Sequence, residues 1–264
     1  MSAPRSRRTV AAAGQRLRVF YHAGAEDADR SVALLLIHGA GGSYLHWPPH
    51  LRRLPAANVV ALDLPGHGES EGPGRSSVVA YAEAVKAAAD ALGLASTVVA
   101  GHSLGGAIAL EMARRYPDYV AGVAVLAGGV RLPVPPGLIE MLRTDFARAT
   151  ERIFDGAYTD QTDPRRRAVL LRQLRANSPE TLIGDYLACA AFDATPFAPQ
   201  IDAPALVICG EQDRTVPPEL GAALHRLLPH SELHMLEEAG HMLMLERPEP
   251  VTQLLADFAA RVHN

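Results

Sequence analysis

The sequence predicts an α/β protein built on a doubly wound, mostly parallel β-sheet that carries a helical insertion. Three observations favour this fold class. Continuous apolar runs, typical of strands covered on both faces, alternate with helical patterns along most of the chain. Glycine-rich or acidic loops follow several of these runs directly, where ligands bind in doubly wound proteins. Over residues 131–199 the alternation stops, and only helical patterns follow one another.

Length and composition are those of a globular protein. At 264 residues, 48% hydrophobic and 20% charged, the chain suffices for one large domain, and neither disorder nor a membrane protein is indicated. A net charge of −4 gives no general attraction to nucleic acid, and no apolar run reaches the roughly 18 residues of a membrane span. The basic start, Met1 to Arg8, is interpreted as a loose amino terminus, with an export signal as the alternative. Two cysteines, Cys189 and Cys209, suggest no disulfide framework, so a cytoplasmic protein is expected.

The first half of the chain supplies the centre of the predicted sheet. Alternating side chains after a Gly-Gln turn predict an edge strand, and continuous apolar runs predict the buried strands that follow. Helical patterns separate the later strands, as parallel pairing requires. The predicted strands cover residues 17–21, 31–37, 58–63, 97–100 and 120–127, and the predicted helices cover 78–92 and 107–116.

The second half begins with the helical insertion and then returns to alternation. A proline-rich break at 132–137 starts the insertion, which we expect to lie over the carboxyl edge of the sheet as a cap. We therefore divide the chain into a core, residues 1–130 and 200–264, and a helical cap, residues 131–199. Helices are predicted at 138–154, 164–176, 179–192, 218–228 and 250–262, and strands at 205–209 and 232–236.

A glycine-flanked serine links one predicted strand to the next helix. Residues 101–105 read Gly-His-Ser-Leu-Gly, and in this context the pattern indicates a nucleophile elbow. On so tight a turn, side chains two positions either side of Ser103 would collide with it, and Gly101 and Gly105 remove them. Gly106 lets the helix approach the neighbouring strand. Ser103 is therefore the candidate nucleophile, at the carboxyl end of a strand and beside a helix amino terminus.

A serine hydroxyl is a poor nucleophile, so an imidazole must take its proton during attack and return it later. His241 is the candidate base, because it lies in a loop after the last predicted strand. Asp213 directly follows a buried strand and is the candidate acid, which would orient the imidazole and stabilise its protonated form. The alternative for Asp213 is a turn or helix-cap role.

Five motifs in this order resemble those of the α/β-hydrolase family. They are His38-Gly39-Ala40-Gly41-Gly42, Asp63-Leu64-Pro65-Gly66-His67-Gly68, Gly101-His102-Ser103-Leu104-Gly105-Gly106, Gly210-Glu211-Gln212-Asp213 and Ala239-Gly240-His241. The resemblance covers nearly the whole chain and is weakest in the cap. It implies the α/β-hydrolase fold, the triad order Ser103, Asp213, His241, and an oxyanion hole formed by the backbone N–H groups of Ala40 and Leu104. The chain looks most like bacterial carboxylesterases and 3-oxoadipate enol-lactonase-type hydrolases.

Large apolar side chains in two segments could form an acyl pocket. We expect Tyr44, Trp47, Met141, Phe146 and Tyr186 to bind the substrate, with core or cap packing as the alternative for each. There is no spaced cysteine set and no His-Glu-x-x-His pattern, and the glycines at 39–42 lack the spacing of a dinucleotide loop. We therefore expect no metal and no cofactor.

The sequence thus predicts a serine hydrolase that cleaves small-molecule carboxylic esters through an acyl-enzyme intermediate. A lactonase, a carbon–carbon bond hydrolase for dienols and a cofactor-free perhydrolase would use the same triad and remain alternatives. A lactonase for a carboxylate-bearing substrate would want a cap arginine, such as Arg143 or Arg148, at the pocket. An alternative of another class is a hydrolase-like signalling receptor with slow turnover. For a histidine base, activity is expected to fall on acidification through about pH 6–7.

Overall fold

The described residues form one eight-stranded sheet, which the helices cover. The computed structural model describes residues 5–23, 33–54, 57–158 and 164–263. The strands are β1 (Arg5–Ala12), β2 (Gln15–His22), β3 (Ala33–Ile37), β4 (Val59–Leu62), β5 (Thr97–His102), β6 (Val120–Leu126), β7 (Ala205–Gly210) and β8 (Ser231–Leu236). Their order is β1-β2-β4-β3-β5-β6-β7-β8. All neighbours from β4 to β8 in this order pair in parallel, and β2 pairs antiparallel with β1 and β4.

Helices connect the parallel strands and cover both faces of the sheet. Those in the described part of the chain are α1 (Val78–Ala91), α2 (Leu104–Arg115), α3 (Leu138–Thr144), α4 (Phe146–Ala157), α5 (Pro164–Arg175), α6 (Pro179–Ala191), α7 (Pro218–Leu227), α8 (Leu243–Glu246) and α9 (Pro248–His263). None of these helices has the length and apolar character required to cross a membrane.

The central strand β3 shows why the sheet needs helices on both sides. All five of its residues are buried, and the side chains of residues 34–37 alternate between two hydrophobic clusters. Leu35 packs in the cluster that contains Ile108 of α2, whereas Leu36 packs in the cluster that contains Leu255 of α9. Full burial of one such leucine contributes about 1.5–3 kcal/mol, so the continuous apolar run favours this position. The predicted doubly wound, mostly parallel sheet is confirmed.

The amino-terminal edge differs from the sequence prediction. Strand β1 (residues 5–12) includes residues 5–8 of the predicted loose terminus, and it pairs with β2, so β2 is not the edge strand. Ala13 and Gly14 both have positive φ, 51° and 73°, as a two-residue hairpin turn requires. The basic residues of the segment hide its strand pattern, because an exposed edge strand needs no continuous apolar face.

The described residues of the insertion between β6 and β7 form the helices α3 to α6, with one more break than predicted. The single helix predicted over 138–154 is two helices, because Asp145 has non-helical angles, φ −148° and ψ 76°. Its carboxylate accepts a hydrogen bond from the Arg148 backbone N–H and so caps α4. Leu138, Leu142 and Leu182 belong to a separate small cluster within the insertion.

Candidate active site

Ser103 lies at the sharp turn between β5 and α2 with unusual backbone angles, φ 54° and ψ −117°. A non-glycine residue in such a conformation costs about 1–3 kcal/mol and persists only where its surroundings enforce it. Here the Ser103 N–H donates to the Leu126 carbonyl at 2.9 Å, and the Ser103 carbonyl accepts from the Gly106 N–H at 2.8 Å. The end of β6 and the first turn of α2 therefore hold the serine in place.

The glycines of the motif are explained by close backbone packing. A Cβ on Gly101 would overlap the backbone of Gly105, and a Cβ on Gly105 would overlap the carbonyl of Ile37 in β3. A Cβ on Gly106 would lie 3.0 Å from the side chain of Val125, which is tighter than ordinary contact. Helix α2 can begin directly at the end of β5 only because these positions lack side chains.

His241 and Asp213 form a buried pair at the carboxyl edge of the sheet. His241 Nδ1 lies 2.9 Å from Asp213 Oδ2, and the two residues are 6% and 5% exposed. The other carboxylate oxygen of Asp213 accepts from the backbone N–H groups of Thr215 at 2.8 Å and Val216 at 2.9 Å. Asp213 therefore holds its own turn with one oxygen and the imidazole with the other, which leaves His241 Nε2 free of the carboxylate.

A cavity brings the serine and the histidine together. Ser103 and His241 both line it, together with Ala40 and residues of the insertion. In the described part of the chain no hydrogen bond joins the Ser103 hydroxyl to His241, and this bond is often long in proteins without bound substrate. The described lining contains no Asp, Glu, Lys or Arg, and its apolar part comes mainly from Ile153, Phe154, Leu170, Leu174 and Met242.

Two backbone N–H groups remain available beside the serine. Ala40 lines the cavity, and Leu104 is the first residue of α2. Across the described ranges neither N–H donates a hydrogen bond to the protein, whereas the next amide, Gly41 N–H, does. Free donors at a helix amino terminus and an adjacent loop are what a developing oxyanion requires.

Three histidines in the region of Ser103 and His241 have lowered pKa values and are neutral near pH 7. Burial lowers the pKa of His38, whose Nδ1 donates to the Gly39 carbonyl at 2.7 Å while Nε2 accepts from the Leu64 N–H at 3.0 Å. Burial and the neighbouring His241 lower the pKa of His102, whose Nε2 donates to the His241 carbonyl at 2.8 Å. Burial lowers the pKa of His46, which lines the cavity, to about 4. His102 thus ties the serine turn to the histidine loop.

Acid is expected to destabilise the protein through these histidines. Because the folded-state pKa of His46 lies below its unfolded value, its contribution to the free energy of unfolding is present above about pH 6.5 and lost towards about pH 4. Between about pH 7.5 and about pH 4.5, we expect the free energy of unfolding of His46→Gln to fall by less than that of the wild type. Urea unfolding at both pH values measures the difference, and an equal loss in the two proteins would contradict the prediction.

Of the residues predicted to bind substrate, only Tyr186 lies in the cavity wall. Tyr44 and Trp47, which follow the glycine-rich loop after β3, instead lie in a hydrophobic core cluster, at 4% and 0% exposure. Met141 and Phe146 pack against the small cluster within the insertion, so the apolar faces of α3 and α4 serve to join these helices.

Several lining residues and supporting residues were not predicted. Phe154, Leu170 and Leu174 line the cavity from α4 and α5, and His46 lines it from the loop after β3. The amphipathic pattern of α4 could have indicated that one face of this helix is apolar. Whether that face lines a cavity or packs against another helix depends on the tertiary fold. Arg143 and Arg148, considered for a carboxylate-bearing substrate, are exposed and do not line the cavity. No group of three or more His, Cys, Asp or Glu side chains in the described ranges is placed to hold a metal ion.

Comparisons with known proteins agree with this architecture. A family model for the alpha/beta hydrolase fold matches residues 32–248. The chain is 32% identical to the pimeloyl-(acyl-carrier protein) methyl ester esterase of Neisseria meningitidis serogroup C, over 86% of this chain and 93% of that protein. It is 28% identical to the 2-hydroxy-6-oxo-6-phenylhexa-2,4-dienoate hydrolase of Burkholderia cepacia, over 89% of this chain and 90% of that protein.

Among solved structures, the enol-lactonase from Burkholderia xenovorans matches with a TM-score of 0.86 and 25% identity, over 96% of this chain and 100% of that one. The three similar proteins are named for three different reactions. The choice among these reactions therefore depends on the geometry and chemistry of the site.

Proposed function

The chain belongs to the α/β-hydrolase fold family, and from this membership we propose that it is a serine hydrolase that cleaves small-molecule carboxylic esters. The observation that carries the proposal is that Ser103 and His241 line the same wall of one cavity. The serine stands on a strained turn in this wall, and the histidine beside it is hydrogen-bonded to Asp213. A hydroxyl, an imidazole and a buried carboxylate in this order are the parts of a nucleophilic acyl-transfer site.

In the proposed mechanism, Ser103 Oγ attacks the acyl carbonyl while His241 Nε2 takes the hydroxyl proton. The carbonyl oxygen becomes an oxyanion that accepts hydrogen bonds from the N–H groups of Ala40 and Leu104, and loss of one such donor costs about 3–4 kcal/mol. His241 then gives the proton to the departing alcohol. A water molecule, deprotonated by the same histidine, cleaves the acyl-enzyme and releases the acid, while Asp213 stays ionised throughout.

The lining favours substrates whose acyl group is neutral. A carboxylate buried without a cationic partner costs several kcal/mol, and the described lining has no Lys or Arg. Arg143 and Arg148 are exposed and do not meet this need. The dienoate substrate named for the Burkholderia cepacia relative carries such a carboxylate. An ester hydrolase therefore fits this cavity better than a carbon–carbon bond hydrolase or a lactonase for anionic substrates.

We expect the enzyme to discriminate by charge along the acyl chain. The p-nitrophenyl ester of hexanoate should be hydrolysed with a kcat/KM about 100-fold above that of the mono-p-nitrophenyl ester of adipate, because the second ester places a carboxylate in the apolar cavity. The same adipate ester with its free carboxyl methylated controls for length, and it should be hydrolysed like the hexanoate. Equal kcat/KM values for the charged ester and its methylated form would contradict the neutral-acyl assignment.

The enzyme class itself is tested by counting turnovers. A hydrolase should release many molecules of p-nitrophenol per protein molecule at a constant rate, whereas a signalling receptor should release about one. Failure to hydrolyse every neutral ester, thioester and lactone in a panel of graded size would overturn the proposed function.

A further inference from the structure

Asp185, in the middle of α6, is a fully buried carboxylate that no step of the proposed mechanism uses. Its Oδ2 accepts hydrogen bonds from the Gly41 N–H at 2.8 Å and from His67 Nε2 at 2.8 Å. Its Oδ1 accepts from the Tyr81 hydroxyl at 2.5 Å. The three donors come from the loop after β3, the loop after β4 and helix α1. A buried charge requires such partners, and here one of them is the backbone of the oxyanion loop.

His67 supplies the positive charge that balances this carboxylate. Its Nδ1 faces the Pro65 carbonyl at 3.0 Å and its Nε2 faces Asp185, so both nitrogens must carry protons to make these bonds. Burial alone would lower the pKa of His67, but the charge and hydrogen bond of Asp185 outweigh burial and raise it. The paired charges let Asp185 bind the oxyanion loop without leaving a net negative charge beside a developing oxyanion.

Both peptide groups that flank Ala40 are held in place. On one side, the Gly39 carbonyl accepts from His38 Nδ1 and from the Gly42 N–H, at 2.7 Å and 3.1 Å. On the other side, Asp185 holds the Gly41 N–H. The direction of the Ala40 N–H is therefore determined by groups that lie outside the substrate cavity.

The helical insertion supplies the anchor of Gly41 from both sides. Asn177, just before α6, donates to the Gly41 carbonyl at 2.9 Å, so both polar groups of this glycine bind residues of the insertion. A Cβ on Gly41 would overlap the side chain of Leu174 and lie 2.8 Å from that of Leu182. The loop that carries Ala40 is thus packed directly against α5 and α6.

We propose that Asp185 is a positioning residue for catalysis: by holding Gly41, it fixes the Ala40 N–H towards the oxyanion. The proposal rests on the proposed esterase function, since it concerns the same oxyanion hole. Asp185 is not among the residues that line the cavity. Its effect should therefore appear in transition-state stabilisation and leave ground-state binding nearly unchanged.

The test compares a transition-state analogue with its unreactive counterpart. A trifluoromethyl ketone with an apolar chain would add to Ser103 and place its oxygen in the oxyanion hole, whereas the matching methyl ketone would bind largely without addition. We expect Asp185→Ala to lower kcat about 100-fold and to raise the Ki of the trifluoromethyl ketone by a similar factor, with KM and the methyl ketone Ki within about twofold.

Two further variants keep the test decisive if Asp185→Ala does not fold. Asp185→Asn retains one acceptor oxygen and should lose about 10-fold in kcat, and Asn177→Ala removes only the bond to the Gly41 carbonyl and should lose less. Glu111→Gln is the matched control, because it neutralises another buried carboxylate whose hydrogen bonds go to Arg114 on its own helix. Its kcat should stay within about twofold of the wild type.

The outcomes separate this proposal from the function on which it rests. Unchanged kcat in folded Asp185 variants, or an equal loss of affinity for both ketones, would overturn the positioning role and leave the esterase standing. A selective loss for the trifluoromethyl ketone supports the role. A folded wild-type protein that neither hydrolyses esters nor binds the trifluoromethyl ketone would overturn the proposed function and this inference together.

Discussion

Replacing Ser103 by alanine is expected to abolish ester hydrolysis, with a fall in kcat of about 10⁵-fold or more. The hydroxyl is the proposed nucleophile, and no other side chain on this turn can replace it in forming the acyl-enzyme. The folded structure should persist, because Ser103 is held through its backbone N–H and carbonyl and its side chain caps no helix. Hydrolysis of p-nitrophenyl butyrate by the purified variant, together with its thermal unfolding curve, measures both effects.

A matched serine makes the result specific. Ser231 is partly buried, and its hydroxyl bonds to the His225 ring and to the backbone carbonyls of His225 and Leu228 at the end of α7, so Ser231→Ala should retain activity within about twofold. A fluorophosphonate should add one mass increment to the wild type and to Ser231→Ala, at Ser103, and none to Ser103→Ala. An adduct on another residue, or residual hydrolysis by pure Ser103→Ala near the wild-type rate, would remove the assigned nucleophile.

Asp213→Asn is expected to lower kcat about 10⁴-fold while leaving the fold nearly intact. The amide NH₂ would face His241 Nδ1 and favour the tautomer whose Nε2 carries the proton, and that tautomer cannot accept the proton of Ser103. The amide oxygen can still accept from Thr215 and Val216, which hold the turn at 2.8 Å and 2.9 Å. Activity and stability should therefore separate, and a parallel fall in both would indicate a structural role instead.

The control for this prediction is an exposed aspartate that lies just before β7. Asp202 precedes the same strand and is exposed, so Asp202→Asn should keep kcat within about twofold of the wild type. Steady-state kinetics and urea unfolding of both variants, at one pH, give the comparison. Near-normal kcat in folded Asp213→Asn would show that another group orients the imidazole.

The parts of the fold that the sequence predicted are those with a local physical cause. Strands buried on both faces must be continuous apolar runs, so β3, β4, β5, β6 and β7 were predicted within a few residues of their ends. The turn at Ser103 was predicted because glycine at both 101 and 105 is most simply explained by backbone packing that is too close for a Cβ atom. Asp213 and His241 were predicted to meet because loops at the carboxyl ends of parallel strands lie at one edge of the sheet. In the structure, Asp213 Oδ2 lies 2.9 Å from His241 Nδ1.

The parts that the sequence did not predict depend on tertiary contacts. Strand β1 pairs with the exposed edge of β2 and needs no continuous apolar face, so its sequence has no distinctive strand pattern. An aspartate inside a helical pattern, as at position 145, can either face solvent or end the helix, and only the packing of α3 on α4 decides. The local sequence does not distinguish Asp185 from any other polar helix residue, because its partners lie 104 to 144 positions away in the chain. Its role could be recognised only once the loops had been brought together.

The two walls of the cavity differ in how far their residues can be changed, and this difference affects how the protein could acquire a new substrate selectivity. The sheet-side wall contains Gly39, where an added Cβ would lie 2.8 Å from the His102 ring, and a serine whose conformation the surrounding backbone enforces, so variation there would damage the reaction itself. Phe154 and Leu170 lie on the opposite wall, on helices of the insertion. Exchanging these two side chains for larger or smaller ones would reshape the space for the acyl group while leaving the reacting atoms alone. Libraries for directed evolution, and natural divergence among related enzymes, should therefore concentrate accepted changes on α4 and α5.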